Sequence, residues 1–149
     1  RVEFAGKKIT DATSGIENEL NGIAFQAVGR STVVDFVHVH RGQDDGVEFF
    51  GGTVDAKHLL LTCADDDSLD WVGGFRGRVQ HIVSQQCPGH GDNGVEAENR
   101  KDGNNLAPRS RPMIANATVI GLNAPITLSS NVCVSMVPRR GAWLVDSAT

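Results

Sequence analysis

Acidic residues recur through the middle of this sequence at a nearly constant spacing. Asp44 and Asp45 precede a Gly-Val-Glu segment, and 22 residues later Asp66 and Asp67 precede Ser-Leu-Asp. A third copy, Asp-Asn-Gly-Val-Glu, begins at Asp92. Carboxylates gathered in this way can bind Ca²⁺, which takes roughly six to eight oxygen ligands. Two neighbouring carboxyls can instead share a proton and act as an acid-base pair.

The acids lie at equivalent places in a repeated unit. Residues 37–49 (VHVHRGQDDGVEF) align without a gap with residues 59–71 (LLLTCADDDSLDW). Residues 82–97 (IVSQQCPGHGDNGVEA) form another copy, with about three extra residues around Cys87 to His90. Internal similarity at this period predicts a stack of small structural units.

Two further copies extend the repeat towards both ends of the chain. One includes NGIAF at 21–25, and a weaker one runs from Ile114 to Gly141, where Ser135 and Met136 take the Gly-Val place. The 149 residues therefore contain about five units of 22 to 26 residues, two of them with insertions. We expect residues 1–149 to form a single domain.

Each unit carries two short segments in which apolar and polar residues alternate, as in half-buried strands. No segment of helical length shows a period of 3.6 residues. Leucine-rich repeats need a Leu-rich consensus that is absent, and propeller blades need about 40 residues each. The pattern predicts an all-β protein, a right-handed parallel β-helix of about five coils, in which equivalent residues stack about 4.8 Å apart.

The segments DDGVEFFGGTV (44–54), DDDSLDWVGG (65–74) and DNGVEAEN (92–99) resemble bacterial secreted or lipoprotein-like β-helix proteins of the pectate-lyase-like superfamily. The resemblance covers roughly residues 2 to 145. It implies the β-helix fold and an extracellular or cell-surface location in a bacterium. Relatives of this kind are longer, so we expect the chain to be a segment of a longer solenoid or a single stackable module. The superfamily includes lyases, hydrolases and non-catalytic surface proteins, so the resemblance implies no one reaction.

Stacking the units places the acids in three columns. The column Asp45/Asp67/Asn93 precedes Gly or Ser, which is typical of turn chemistry, whereas the column Asp44/Asp66/Asp92 is a candidate metal site. The column Glu48/Asp70/Glu96 is predicted on the outward side of a strand and is the strongest candidate ligand-binding and catalytic set.

Like charges at about 5 Å repel by roughly 3 kcal/mol at an effective dielectric near 20, so stacked acids need compensation. We consider four sources of compensation. They are a bound cation, protonation of one partner, backbone capping by the acid itself, and a nearby base such as Arg41, Lys57 or Arg100. Arg41 is also a weak candidate for the base of a lyase.

His38 and His40 alternate with apolar residues and are predicted to point outward, so they are candidate ligand-binding residues without a visible third metal ligand. The three cysteines match neither a disulfide framework nor a zinc motif, which favours small buried residues. Cys63 and Cys87 nevertheless lie on adjacent coils, one register position apart, so a disulfide between them is sterically possible.

Composition narrows the function. The formal net charge of -4 argues against a nucleic-acid partner, and no apolar run reaches the roughly 20 residues of a membrane span. We expect a non-catalytic module that binds a carbohydrate or another surface, with Ca²⁺ as the candidate cofactor. The alternatives are a polysaccharide lyase or glycosidase that uses the stacked carboxylates, and a subunit that assembles end to end as a homo-oligomer.

Overall fold

The computed structural model describes residues 1–10, 17–100, 106–121, 134–139 and 142–147, and the side chains of 1–6, 20–100 and 106–121. These ranges contain strands and no helix. In chain order the strands are β1 (Val2–Glu3), β2 (Lys7–Thr10), β3 (Glu17–Leu20), β4 (Ile23–Gln26), β5 (Val33–His40), β6 (Val47–Phe50), β7 (Asp55–Thr62), β8 (Leu69–Val72), β9 (Arg78–Gln85), β10 (Met113–Ile120), β11 (Val134–Arg139) and β12 (Ala142–Ser147).

Two parallel stacks of strands form the body of the fold. The larger sheet has the order β1-β5-β7-β9-β10-β12-β11, and its first five strands are parallel. The smaller sheet has the order β4-β6-β8 and is parallel throughout. Successive strands of one sheet are separated in sequence by a strand of the other or by a long connection, so the chain winds in coils. The prediction of a parallel β-helix is confirmed.

The register follows the repeat. Val47 pairs with Leu69, and Leu59 pairs with both Val37 and Ile82. Val47 and Leu69 are fully buried, because the inward-facing positions of successive coils pack against one another. These columns of aliphatic side chains fill the interior and keep the polar positions of each strand on the other face.

Aromatic rings fill the wider part of the core. Phe49 stacks on Phe25 with ring centroids 5.1 Å apart and on Phe75 at 4.3 Å. Phe49, Phe75 and Trp71 are all buried. These aromatic rings are therefore part of the core.

A bend divides each long strand of the larger sheet. Phe36, His58, His81 and Asn116 occupy the same position on successive coils, and each has a φ between 51° and 59°. The pairing is interrupted at this position, since Asp35 pairs with Lys57 and Val37 with Leu59 while the residues between them do not pair. A residue in the left-handed region turns the strand sharply, so one strand covers two sides of the coil.

The last part of the chain departs from the prediction. The weak fifth copy should have continued the parallel pattern to Gly141, with Ser135 and Met136 equivalent to Gly-Val. Instead β11 and β12 form an antiparallel pair in which Ser135 faces Asp146, and β12 runs antiparallel to β10. Only two residues connect β11 to β12, and so short a connection permits antiparallel but not parallel pairing.

Candidate functional site

The acids lie in the turns that lead from the larger sheet to the smaller one. These turns occupy residues 41–46, 63–68 and 86–94 on successive coils. They stack through their main chains: the Gly46 N–H donates to the Asp67 carbonyl at 2.8 Å, and the Ser68 N–H donates to the Asn93 carbonyl at 3.1 Å. The coil stacking therefore brings the acidic positions into register.

The side chains of Asp45, Asp67 and Asn93 form a ladder between the turns. The Asp45 Oδ1 accepts the backbone N–H of Asp67 at 3.1 Å, and the Asp67 Oδ1 accepts that of Asn93 at 2.6 Å. All three residues are buried. These side chains do cap backbone donors, as turn chemistry predicts, but the donor belongs to the following coil rather than to the same turn.

Asp70 lies deeper than the sequence indicates. It pairs with Glu48 across β6 and β8, and the bridge between Leu69 and Val95 carries the same register on to Glu96. Glu48 is half-buried, whereas Asp70 is only 7% exposed. The Oδ1 of Asp70 has no hydrogen-bond partner within the described part of the chain. Asp70 therefore keeps its predicted place in the column with Glu48 and is buried there.

Carboxyl groups from different columns meet at this site. Oxygen atoms of Asp45, Glu48 and Asp70 all lie within 4.8 Å of one another, and so do those of Asp44, Asp45 and Asp66. Asp45 belongs to both groups. We call the first group, Asp45/Glu48/Asp70, the inner cluster.

The candidate metal column Asp44/Asp66/Asp92 is only partly brought together. Asp44 and Asp66 join Asp45 in the second group, while Asp92 belongs to neither group and is exposed. Glu96 is also outside both groups, and it hydrogen-bonds to Asp67 instead. The columns are consequently linked diagonally, from the turn of one coil to the strand of the next.

Burial raises the pKa of the acids in and beside the inner cluster. Burial, followed by the charges of Asp45 and Glu48, raises the pKa of Asp70 to about 10. Burial and then the charges of Asp44 and Glu48 raise the pKa of Asp45 to about 9. Both side chains therefore carry a proton at neutral pH unless a cation replaces it.

The same effect extends to the next diagonal pair. Burial, followed by the charge of Glu96 and a hydrogen bond with it, raises the pKa of Asp67 to about 8. Burial also raises the pKa of Glu96. The charged groups that contribute most to these shifts are other carboxyls rather than Lys or Arg.

Two of the proposed basic partners contact other groups. The guanidinium of Arg41 lies 5.7 Å from the centre of the Phe4 ring, and Lys57 contributes to lowering the pKa of Asp35, after the larger effects of His58. Arg100 is exposed. Among the four sources of compensation, backbone capping is present, and the raised pKa values of Asp45 and Asp70 indicate that these two acids hold protons unless a cation replaces them.

Asn21 is a site residue that the sequence analysis did not select. Its Nδ2 donates to the Glu48 Oε2 on the following coil. The alignment of NGIAF with DGVEF contained the signal, because it places Asn21 in the same column as Asp45. Asn21 thus makes the diagonal contact with an amide in place of a carboxyl, while its Oδ1 is buried without a hydrogen-bond partner among the described residues.

His38 and His40 lie on β5, apart from the inner cluster. The Thr62 hydroxyl is 3.3 Å from the His38 Nε2 and 2.8 Å from the His40 Nδ1. Neither histidine belongs to a group of three potential metal ligands in the described ranges. Their predicted role in ligand binding stays a prediction.

A disulfide bond joins Cys63 to Cys87, with the Cα atoms 4.9 Å apart. The sequence left this pairing open and favoured small buried cysteines. Cys63 is buried at the start of its turn, and Cys87 begins the inserted segment of the next turn. The third cysteine, Cys133, lies outside the described residues.

The coils of this protein are parallel, and their turns stack acidic residues beside the outer face of one strand stack. A family model for a pectate-lyase like beta helix domain matches residues 1–143. The chain belongs to this family. No curated protein and no solved structure matches it.

Membership of the pectate-lyase-like β-helix domain family agrees with the resemblance found in the sequence. In this β-helix domain, no helix of the described residues is long and apolar enough to cross a membrane. The family is defined by its fold, so it leaves the ligand of the inner cluster open. A polysaccharide partner and end-to-end association stay predictions.

Proposed function

We propose that this β-helix domain is a non-catalytic, calcium-dependent carbohydrate-binding module that acts outside the cell. The observation that carries the proposal is the buried carboxyl of Asp70, whose Oδ1 lacks a hydrogen-bond partner and which offers an oxygen within 4.8 Å of oxygens of Asp45 and Glu48. A buried carboxylate oxygen without a partner is costly, so a ligand that satisfies it has a clear energetic role.

The donor set supports Ca²⁺. Ca²⁺ takes carboxylate oxygens at about 2.3–2.6 Å in a flexible geometry, whereas Mg²⁺ demands a near-ideal octahedron at roughly 2.0–2.1 Å and gives up its waters reluctantly. The inner cluster has its oxygens within 4.8 Å of one another. A Ca²⁺ ion there would replace the protons on Asp45 and Asp70, and Glu48 would complete a three-carboxylate set.

The charge of the chain supports a cation-dependent interaction with an acidic polysaccharide. The net charge of -4 repels a polyanion, and the acids concentrate that charge at one place. A Ca²⁺ ion held by three carboxylates keeps coordination positions that sugar hydroxyls or uronate carboxylates can fill. The same ion would thus neutralise the site and bridge it to the sugar.

The disulfide between Cys63 and Cys87 supports an extracellular location. Structural disulfides form and persist in oxidising compartments such as the periplasm and the extracellular space.

The expected calcium affinity is that of an extracellular module. Such modules bind Ca²⁺ with dissociation constants of about 10⁻⁴–10⁻³ M, and weak binding is expected here because the acids must first lose their protons.

The test is calorimetric titration of the oxidised protein with CaCl₂ and, separately, with MgCl₂. We expect one calcium site of submillimolar to millimolar affinity and weaker binding of Mg²⁺. Asp70→Asn should weaken calcium binding at least tenfold. Asp92→Asn changes an exposed acid outside the inner cluster, and it should alter the calcium affinity less than twofold. Unchanged calcium affinity in Asp70→Asn would overturn the proposal.

The carbohydrate is tested by pull-down of the protein with polygalacturonate that is covalently coupled to agarose beads. Retention should require Ca²⁺, should be lost in EDTA, and should be lost in Asp70→Asn. A neutral polysaccharide such as cellulose serves as the control matrix. Retention that survives EDTA, or no retention on the acidic matrix, contradicts a calcium-bridged interaction.

A second candidate, a glycosidase, is favoured by one observation. Burial raises the pKa of Asp70 to about 10, and its side chain can hydrogen-bond to Glu48, so a protonated carboxyl lies beside a second carboxyl. Retaining glycosidases use two carboxyls about 5–5.5 Å apart, one protonated and one ionised. The 7% exposure of Asp70 opposes this role, because a general acid must reach the glycosidic oxygen.

Turnover decides between binding and cleavage. We expect no release of reducing ends and no unsaturated product from acidic polysaccharides during prolonged incubation with the protein and Ca²⁺. Product formation that Glu48→Gln or Asp70→Asn abolishes would establish an enzyme instead.

A further inference from the structure

The Cys63–Cys87 disulfide joins the two turns, 63–68 and 86–94, that hold the acidic ladder on neighbouring coils. The first turn, 63–68, carries Asp66 and Asp67 and leads directly to Asp70. The second turn, 86–94, carries Asn93, whose backbone N–H caps the Asp67 Oδ1 at 2.6 Å. The covalent link therefore lies at the base of the same turn pair that supports the acids.

Several contacts beyond the disulfide dock the second turn on the first. The Gly91 N–H donates to the Asp65 carbonyl at 3.2 Å, and the Asp92 N–H donates to the Asp66 carbonyl at 3.0 Å. The His90 Nδ1 lies 2.6 Å from the Asp65 Oδ1. These contacts set where the backbone of residues 65–67 lies relative to the following coil.

The preceding pair of turns reaches a similar arrangement without a covalent link. Turn 41–46 meets turn 63–68 through the Asp65 N–H to the Gly42 carbonyl at 2.9 Å and the Asp66 N–H to the Asp44 carbonyl at 3.3 Å. Arg41 stands where Cys63 stands in the next turn, and both have a left-handed backbone.

The inserted residues Cys87 to His90 distinguish the second turn. A longer connection loses more conformational entropy when it is ordered, so its docking on turn 63–68 needs extra stabilisation. A cross-link removes much of that freedom from the undocked chain. The disulfide thus compensates for the insertion at the point where the insertion begins.

We propose that the Cys63–Cys87 disulfide is a positioning element for the inner cluster, so that calcium affinity depends on whether this bond is intact. The inference rests on the proposed calcium site. When the bond is reduced, turn 86–94 detaches more readily, the Asp67 Oδ1 loses the Asn93 N–H, and the backbone leading to Asp70 is held from one side only.

The chemical step is a thiol–disulfide exchange with a small dithiol. The dithiol attacks as a thiolate, the Cys63–Cys87 bond breaks, and both cysteines become thiols. The dithiol is oxidised to a cyclic disulfide, so the two electrons and two protons gained by the cysteines come from it. Cys63 is buried and Cys87 is half-buried, so attack at the Cys87 sulfur is favoured.

The experiment compares calcium titrations of the oxidised protein, the protein reduced with dithiothreitol, and Cys63→Ser/Cys87→Ser. We expect reduction and the double substitution to weaken calcium binding about tenfold. Cys133→Ser keeps the disulfide and should bind like the wild type. Cys63→Ala/Cys87→Ala provides a second uncross-linked variant if the serine pair does not fold. Calcium affinity that stays within twofold after reduction, in a protein that circular dichroism shows to be folded, would overturn the inference.

Amide hydrogen exchange without calcium separates this inference from the proposed function. Reduction should accelerate exchange at Asp92 and Asn93, whose amides donate to turn 63–68, by at least tenfold, while the amide of Asp67, which donates to the preceding turn, changes little. If the oxidised protein binds no calcium, the proposed function fails. Unchanged exchange at Asp92 and Asn93 refutes the positioning role, whatever the result for calcium.

Discussion

Asn21 donates its side-chain N–H to Glu48, one coil further along the β-helix. Asp45 occupies the ladder position of Asn21 on the next coil, and it faces Glu48 and Asp70 with a carboxyl instead of an amide. An asparagine at this position always presents a donor to the strand acid, although the Oδ1 of Asn21 itself is buried without a hydrogen-bond partner among the described residues. An aspartate presents a donor only while it is protonated, so Asp45 makes the coil stacking dependent on protons or cations.

Asp45→Asn is expected to raise the melting temperature at pH 8 in EDTA. The amide can accept the Asp67 N–H, as the Asp45 Oδ1 does, and can donate to the strand acid as Asn21 does to Glu48. It needs no proton, whereas the Asp45 carboxyl must take one up when the chain folds at pH 8. A melting scan by circular dichroism measures the effect, which we expect to be at least about 1.4 kcal/mol, the free energy of one pKa unit.

Asp92→Asn is the matched control for this change. Asp92 is an exposed turn acid, and surface substitutions usually stay within about 0.5 kcal/mol. The stabilised Asp45→Asn protein should also lose calcium binding. If Asp45→Asn melts below the wild type at pH 8, the amide does not replace the carboxyl and the ladder argument is wrong.

Stability without calcium should fall as pH rises. The pKa values of Asp45, Asp67 and Asp70 are raised in the folded protein, to about 9, 8 and 10 respectively. The unfolded chain loses these protons near pH 4, whereas the folded chain keeps them, so the folded state binds more protons between those values. The stabilisation is fully present below about pH 4 and is lost progressively as pH increases through the folded-state pKa values.

Urea unfolding between pH 5 and pH 9 measures this slope, which is at most about 1.4 kcal/mol per pH unit for each proton retained. Asp70→Asn should flatten it. Ca²⁺ should restore more stability at pH 9 than at pH 5, because the cation competes with protons for the same oxygens. A free energy of unfolding that increases steadily over this range contradicts the burial of protonated acids.

Removal of the disulfide should destabilise the domain by about 3 kcal/mol, as expected for a closed loop of this size. The bond joins residues 24 apart in sequence. Urea unfolding of Cys63→Ser/Cys87→Ser against Cys133→Ser gives the difference. Equal stability of the two variants would mean that the unlinked turns dock as well by hydrogen bonds alone.

Gly46→Ala should destabilise the protein by at least 2 kcal/mol. A Cβ at this position would lie 2.6 Å from the Ser68 carbonyl oxygen on the next coil, so the coils would have to separate. Gly29→Ala is the control, since a Cβ there meets no atom within 4 Å. Thermal melting of both variants tests whether close coil stacking limits the size of residue 46, and equal melting temperatures would show that it does not.

The repeat was sufficient to predict how the coils stack. A period of 22 residues places Val47 beside Leu69 and Asp44 beside Asp66, because parallel strands in successive coils can pair in only one register that keeps the apolar residues inside. The same argument anticipated the closeness of Cys63 and Cys87 but not the bond, which depends on how the inserted residues orient the Cys87 side chain.

Three features depend on the tertiary structure and could not be predicted from the sequence. The diagonal contact of Asp45 with Asp70 depends on how far each turn side chain leans towards the following coil, and a repeat specifies only the vertical neighbours. The burial of Asp70 depends on what surrounds the outer face of β8, which alternation along one strand does not describe. The reversal at β11 and β12 depends on the short connection between them, which outweighed a weak repeat signal. Residue order thus determined which acids stack, while the tertiary packing decided which of them are buried without a partner and therefore where a cation would bind.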